Sequence, residues 1–331
     1  MLWDVEFNSG AFYPAQTDIR LAEIAEERGF DAVWKGESNS TDPLVLLSGM
    51  ATRTKRIKLG TAIYHIYGRS PVTLGIQSAT LNDLSDGRVL LGLGVANTNI
   101  AGWHQGTFDR PLRRIREYVE VVRAVASGEK VDHEGGIYPV RGFKLSWRPS
   151  HPETRIYYAG LGQKMTHLAG KIADGIILNM ANPAKVREIV ANVRAGATEA
   201  GRDPAKIDIC VKVRVAMSGD REQAKRKLKQ VLTFYNISDH YKDMVAGEGF
   251  ADEGAAIRAA YASGGFKAAA AAVPDHMLEG LPLVAATSVD EVRERIAPYV
   301  EAGATRLNIP FVPCGGGEPG AEAETFLRAW R

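Results

Sequence analysis

Cysteine is nearly absent from this sequence: Cys210 and Cys314 are the two in 331 residues. Two thiols cannot build a disulfide framework or a thiolate metal cluster, and their scarcity predicts a reducing, cytoplasmic setting. Long apolar runs are missing as well. No stretch approaches the roughly 20 residues that span a bilayer, so no membrane partner is expected. The start, Met1-Leu2-Trp3-Asp4-Val5-Glu6-Phe7, lacks the basic beginning and apolar core of an export signal. Nor is one sign of charge in excess: 41 Lys and Arg face 39 Asp and Glu, for a net charge of +2. The densest basic cluster, Lys225-Arg226-Lys227-Leu228-Lys229, lies in a helical pattern and reads as a solvated face. No nucleic-acid partner is therefore expected. No histidine pair has the spacing of a metal site on one helix, which argues against metal catalysis. Neither Gly-x-Ser-x-Gly nor a Cys–His arrangement occurs, which argues against covalent hydrolysis. The full dinucleotide fingerprint is missing too.

What is present is alternation. The chain is 45% hydrophobic, as suits a well-packed globular protein. Apolar, β-rich runs predict strands at Leu2–Phe7, Ala32–Lys35, Ile57–Ala62, Val89–Leu93, Ile156–Ala159, Gly175–Leu178, Ile207–Ala216 and Arg306–Pro310. Amphipathic stretches between them predict helices at Thr17–Arg28, Pro43–Ala51, Pro71–Leu84, Asp109–Ser127, Lys164–Ile172, Pro183–Ala200, Arg221–Leu232 and Val289–Glu301. Gly29, Gly201 and Gly303 each follow a helix, where a positive φ commonly ends one. Eight β-then-α units predict one α/β domain over residues 1–331, a closed (β/α)8 TIM-like barrel. Two stretches, about 129–154 and 233–287, exceed an ordinary connection. The second is helical in pattern, and both become candidate walls of a pocket at the carboxyl-end mouth.

Barrel enzymes build their sites at the carboxyl ends of the strands, so strand ends nominate residues. Glu6, Asn8 and Ser9 end the first strand; Glu37-Ser38 follows the second; Tyr64, His65 and Tyr67 follow the third. A carboxylate in a barrel mouth is partly desolvated and can hold a proton, which makes Glu6 and Glu37 acid/base candidates, with His65 beside them. A salt-bridged strand residue is the plainer reading of each. Gly160-Leu161-Gly162-Gln163, before a helix, is the best candidate anion loop, since small residues let backbone N–H groups approach a phosphate. Glycine also simply turns chains. Tyr64, Tyr67, Trp103 and Phe108 could line a slot for a flat ring, or could simply pack.

Taken together, the segments resemble one superfamily. Arg56-Ile57-Lys58-Leu59-Gly60-Thr61-Ala62-Ile63, Arg69-Ser70-Pro71, Leu84-Ser85-Asp86-Gly87-Arg88 and Gly92-Leu93-Gly94-Val95 resemble the luciferase-like monooxygenases. Gly102-Trp103-His104 and Phe108-Asp109-Arg110-Pro111-Leu112 look like the branch that uses coenzyme F420. The resemblance implies an oxidoreductase, usually a homodimer, that moves hydride between the deazaflavin C5 and a small organic substrate. Ala62, Ile63, Tyr64, His65 and Ile66 would form a bulge behind the ring, with a non-prolyl cis peptide whose nearest match is His65–Ile66. Gly94, Val95, Ala96 and Thr98 would flank the cofactor; Gly160, Leu161, Gly162 and Gln163 would hold its phosphate; Trp103 and His104 would shape the substrate side. Glu6 matches the acidic first-strand residue of methylenetetrahydromethanopterin reductases. At Glu37-Ser38 the histidine that follows the acid in the branch's glucose-6-phosphate dehydrogenases is absent, as is the luciferase histidine. The alternatives are an FMN-dependent monooxygenase supplied by a separate flavin reductase, and a non-catalytic flavin-binding protein.

Overall fold

The computed structural model describes residues 1–7, 13–37, 39–238, 241–315 and 318–330. Asn8, Ser9 and Ser38 therefore lie outside the described residues. Eight parallel strands close into a barrel: Leu2–Glu6, Ala32–Lys35, Lys58–Thr61, Val89–Gly94, Arg155–Ala159, Gly175–Asn179, Asp208–Lys212 and Arg306–Pro310. The first strand lies between the second (Asp4 opposite Ala32) and the eighth (Leu2 opposite Arg306). The ring closes where Leu59 and Gly60 of the third strand meet Val89 and Leu90 of the fourth.

Strand alternation sorts the side chains into two layers. Val5, Val33, Leu59, Leu91, Ile156, Ile176, Val211 and Leu307 are buried against the surrounding helices. Ala32, Trp34, Leu90, Tyr157, Ile177 and Cys210 fill the interior. The Trp34 and Tyr157 rings meet edge-on, with centroids 5.3 Å apart. Glycines opposite them make the room: a Cβ on Gly60 would lie 2.2 Å from the Trp34 ring, and one on Gly175 would lie 2.4 Å from Tyr157. At the amino end of the barrel Arg306 forks onto Asp4 at 2.8 and 2.9 Å, and the Trp34 indole N–H donates to the same carboxylate at 2.9 Å. A buried charge so satisfied costs far less than a bare one.

The helices begin where short polar side chains cap them. Asp42, Ser70 and Asn182 accept from the third backbone N–H onward, before Pro43–Arg53, Pro71–Leu84 and Pro183–Glu199 respectively. Each has proline first, where its missing N–H is not needed. Gly29, Gly201 and Gly303 do have positive φ, at 81°, 69° and 104°.

Both long connections carry their own structure. Residues 129–154 contain an antiparallel hairpin, Val131–His133 with Val140–Phe143. Residues 233–287 hold the helices Lys242–Val245, Ala251–Ala271 and Asp275–Gly280, but end in a strand, Leu283–Ala286. That strand corrects two expectations. The insertion is not wholly helical, and the run expected as one strand from Ile207 to Ala216 breaks at Val213. Asp208–Lys212 stays in the barrel, while Arg214–Met217 leaves it to pair with Leu283–Ala286. The alternation of Lys212, Val213, Arg214 and Val215 continues through the break, so the sequence pattern gave no sign of it.

Candidate functional site

The carboxyl ends of the strands bring three groups of candidate residues into place. The first lies inside the barrel. Glu6 ends its strand on the interior side and is 5% exposed. Its Oε2 is 2.8 Å from Lys212 Nζ and accepts from Asn308 Nδ2 at 2.7 Å. Lys212 also donates to Glu6 Oε1 at 2.9 Å and to the Ala62 carbonyl at 3.2 Å. Asn308 is fully buried, and its Oδ1 has no hydrogen-bond partner among the described residues. Sequence reasoning missed Lys212 and Asn308. Their signal was a polar residue at an alternate position inside an otherwise apolar barrel strand.

The second group sits between the second and third strands. Glu37 Oε1 accepts from Arg69 at 3.0 Å, and its Oε2 lies 3.1 Å from His65 Nε2 and accepts from the His65 backbone N–H at 3.1 Å. His65 Nδ1 accepts from the backbone N–H groups of Gly68 and Tyr67, at 3.1 and 3.3 Å. Those two donors leave the ring proton on Nε2, facing Glu37. Burial pushes the Glu37 carboxyl up from 4.5 to about 7, with Arg69 pulling the other way. Burial lowers His65 from 6.5 to about 4, and the neighbouring His104 and Arg69 add to it. The His104 ring tilts against His65 with centroids 4.4 Å apart. Trp103 is 63% exposed.

Ala62, Ile63, Tyr64, His65 and Ile66 continue the third strand, and Tyr64–His65 pair with Leu93–Gly94. The cis peptide is Ala62–Ile63, not His65–Ile66; no side-chain pattern marks one bond of this run over another. Ala62 and Ile63 pack with the interior cluster, whereas Tyr64 and Ile66 belong to the helix-facing layer. The last two thus offer the mouth their backbone. A Cβ on Gly94 would come within 2.7 Å of Ile63 Cδ1. Val95 is half-buried, Ala96 has φ 47°, and Thr98 is exposed in the first turn of the helix Thr98–Trp103.

The third group is the loop after the fifth strand. Gly160, Leu161 and Gly162 lead into the helix Gln163–Ile172, which no side chain caps. Gly162 is exposed, and a Cβ there would meet nothing within 4 Å. Its first N–H groups are therefore open to an anion. No cluster of His, Cys, Asp and Glu suited to a metal occurs among the described residues, and no described helix is long and apolar enough to cross a membrane.

The comparisons with known proteins follow the same lines. The family model for luciferase-like monooxygenases matches residues 8–306. A 5,10-methylenetetrahydromethanopterin reductase of Methanolobus tindarius is 30% identical over 310 residues, covering 89% of this chain and 91% of that one. Another of that name, from Archaeoglobus fulgidus, is 28% identical over 86% of each chain. In shape, the chain superposes on the coenzyme F420-dependent tetrahydromethanopterin reductase of Methanopyrus kandleri with a TM-score of 0.85 and 24% identity, over 99% of this chain and 97% of that one. The barrel, its ordered strand-end segments and these matches place the chain in the luciferase-like monooxygenase family.

Proposed function

We propose that this chain is a coenzyme F420-dependent oxidoreductase that transfers hydride between the deazaflavin C5 and a small organic substrate. The likeness to methylenetetrahydromethanopterin reductases along 89% of the chain carries the reading. The residues at the mouth fit such a group. Gly94 lets Ile63 and Ala159 pack directly against its backbone beside the mouth, and the unmet Asn308 Oδ1 gives the barrel interior an acceptor for a ring-edge donor. Gly160–Gln163 presents helix N–H groups where a phosphate would sit.

When bound, the deazaflavin supplies the carbon that carries hydride. The protein's part is positioning and proton handling. Ala62 and Ile63 would back the ring, with Gly94, Val95, Ala96 and Thr98 along its side. Lys212 and Asn308 fix the Glu6 carboxylate at the floor as a directed charge. Glu37, raised to about 7, is suited to hold one exchangeable proton near neutral pH, with the His65 Nε2–H orienting it. His104 and Trp103 shape the outer, substrate side. A cytoplasmic location accords with Cys210 and Cys314 being unpaired, and the homodimer follows the family resemblance.

Fluorescence titrations of oxidised F420 and FMN, side by side, test the reading. F420 should bind at least about tenfold tighter. The opposite order would replace the proposal with an FMN-dependent monooxygenase.

A further inference from the structure

Where the long insertion meets the barrel mouth stands an arginine that the hydride-transfer reading leaves unused. Arg214 lies two residues past Lys212, where the chain leaves the barrel, and is half-buried. Its Nη1 donates to Asn179 Oδ1 at 2.8 Å and its Nη2 to the Tyr235 hydroxyl at 2.6 Å. Asn179 ends the sixth strand two residues past the interior Ile177, so alternation turns it into the mouth. Tyr235 belongs to the helix Arg221–Ile237, which leads into the insertion, and is buried. The guanidinium also lies over the Tyr235 ring, 5.1 Å from its centroid. Two further rings continue from Tyr235: Tyr241 at 4.9 Å between centroids, and the exposed Phe234 at 5.8 Å.

Every partner of Arg214 is neutral, and no carboxylate among the described residues lies within ion-pair distance of it. Glu6 is matched by Lys212. Glu248, which the insertion brings to the residues after the sixth strand, accepts from the Asn182 backbone N–H at 2.9 Å. The third contact of the guanidinium, with Met180 Sδ at 3.7 Å, is to a weak acceptor. The Tyr235 oxygen accepts from Arg214 and, at 3.3 Å, from Asn179 Nδ2, so its own proton is left with no acceptor among the described residues. The cluster therefore holds donors in surplus and one positive charge without a counter-ion. Joining the insertion to the barrel needs the two neutral bonds but not the charge. A half-buried cation left so is costly, and a bound anion offsets that cost.

We infer that Arg214 and Tyr235 hold the carboxylate of an aromatic acid substrate. The inference rests on the mouth being a hydride-transfer site, but not on which ring cofactor fills it. One uncompensated charge matches one carboxylate at neutral pH. The free N–H groups of the guanidinium and the Tyr235 O–H supply donors for its two oxygens. Tyr241 and Phe234 offer ring faces and edges to a flat body attached to it. The position suits a substrate and not the cofactor. Ala62, Ile63 and Gly94, proposed behind and beside the cofactor ring, belong to the third and fourth strands. Arg214 and Asn179 belong to the seventh and sixth, across the mouth from them.

The test uses the F420-loaded chain and three probe acids, benzoate, phenylacetate and cinnamate, each paired with its neutral primary amide. Dissociation constants are read by titration calorimetry. At least one acid should bind about tenfold or more tighter than its amide, as a charge-assisted hydrogen bond would give. Arg214→Met should erase that preference, and Arg214→Lys, which keeps the charge, should retain part of it. Tyr235→Phe keeps the ring and loses the O–H, and should reduce the preference severalfold. F420 affinity, measured without probes, should stay within about threefold of the parent in all three variants, since the cofactor site is separate. Equal binding of acids and amides by the parent, or binding of neither, would overturn the inference. So would an Arg214→Met protein that weakens acid and amide alike, because the arginine would then only hold the insertion in place. A loss of F420 affinity in Arg214→Met with the acid preference intact would assign the arginine to the cofactor instead. A chain that takes FMN and not F420 would overturn the cofactor reading alone; the same probes on the FMN-loaded chain then decide this inference separately.

Discussion

Lys212 Nζ stands 2.8 Å from Glu6 Oε2 across the inside of the barrel, although the two residues are 206 positions apart in sequence. They belong to the seventh and first strands, and the eighth lies between them with Asn308 completing the contact. Both side chains are less than a tenth exposed. A buried pair of this kind is costly to break from one side, because the remaining charge is stranded. Lys212→Met should therefore lower the stability of the fold by about 3–5 kcal/mol. Adding Glu6→Gln to Lys212→Met should restore part of that loss. Chemical denaturation of the two singles and the double closes the cycle; additive losses would show that the charges do not act as a pair.

The same geometry sets the expectation for catalysis. Glu6→Gln keeps the size of the side chain but turns an N–H toward Lys212 or Asn308, in place of an acceptor. A directed charge below the reacting ring would be lost while most binding contacts remain. Turnover should fall by about 10²-fold or more, with cofactor affinity changed less than about threefold. A variant whose defect appears mainly in cofactor affinity would make Glu6 a binding residue instead.

Glu37 and His65 pull stability in opposite directions with pH. The folded Glu37 keeps a proton that the unfolded chain releases, so its contribution falls as pH rises from 4.5 to about 7. The folded His65 refuses a proton that the unfolded chain takes up, so its contribution falls as pH drops from 6.5 to about 4. Between pH 4.5 and 6.5 the two slopes oppose each other. Glu37→Gln removes one and exposes the other. Compared with the parent, this variant should lose stability more steeply on acidification through that window. Parallel denaturation midpoints for the two proteins across the window would show that Glu37 does not titrate there.

The barrel was legible because its signals are local and repeated. Each helix from Pro43, Pro71 and Pro183 is announced by a capping residue and a proline, and each strand by a short apolar run. The residues at the strand ends followed from that count, which is how Glu6, Glu37 and His65 came to notice. Lys212 did not, because Ile207–Ala216 reads as a single strand in which Asp208, Lys212 and Arg214 pass for an ordinary polar face, and nothing in it marks Val213 as the point of departure. Asn308 likewise alternates with apolar neighbours, beside Arg306, and passes for the same kind of polar face. Their importance depends on which way the barrel closes, and that places residues from opposite ends of the sequence against Glu6. Arg69 shows the converse: it lay inside a recognisable segment, yet its bond to Glu37 rests on the path of residues 62–68.

The glycines of the fifth-strand loop offer the sharpest test of the phosphate site, because the two differ in what surrounds them. At Gly160 a new Cβ would sit 3.2 Å from Met165 Cβ, so Gly160→Val crowds the protein itself. Its φ is not positive, and the loss comes from crowding alone. At Gly162 a Cβ meets nothing within 4 Å, and φ is −70°, which any residue adopts. Gly162→Ala should therefore leave stability within about 0.5 kcal/mol of the parent. If a phosphate approaches the first N–H groups of the helix, that methyl group stands in its way. Losing one charge-assisted hydrogen bond is worth about 1.5–3 kcal/mol, so affinity for F420 should drop by roughly tenfold or more. Gly160→Val should weaken binding as well, but with some loss of stability. The comparison separates a ligand contact from a strained turn: full cofactor affinity in a folded Gly162→Ala protein would mean that the loop merely connects strand to helix.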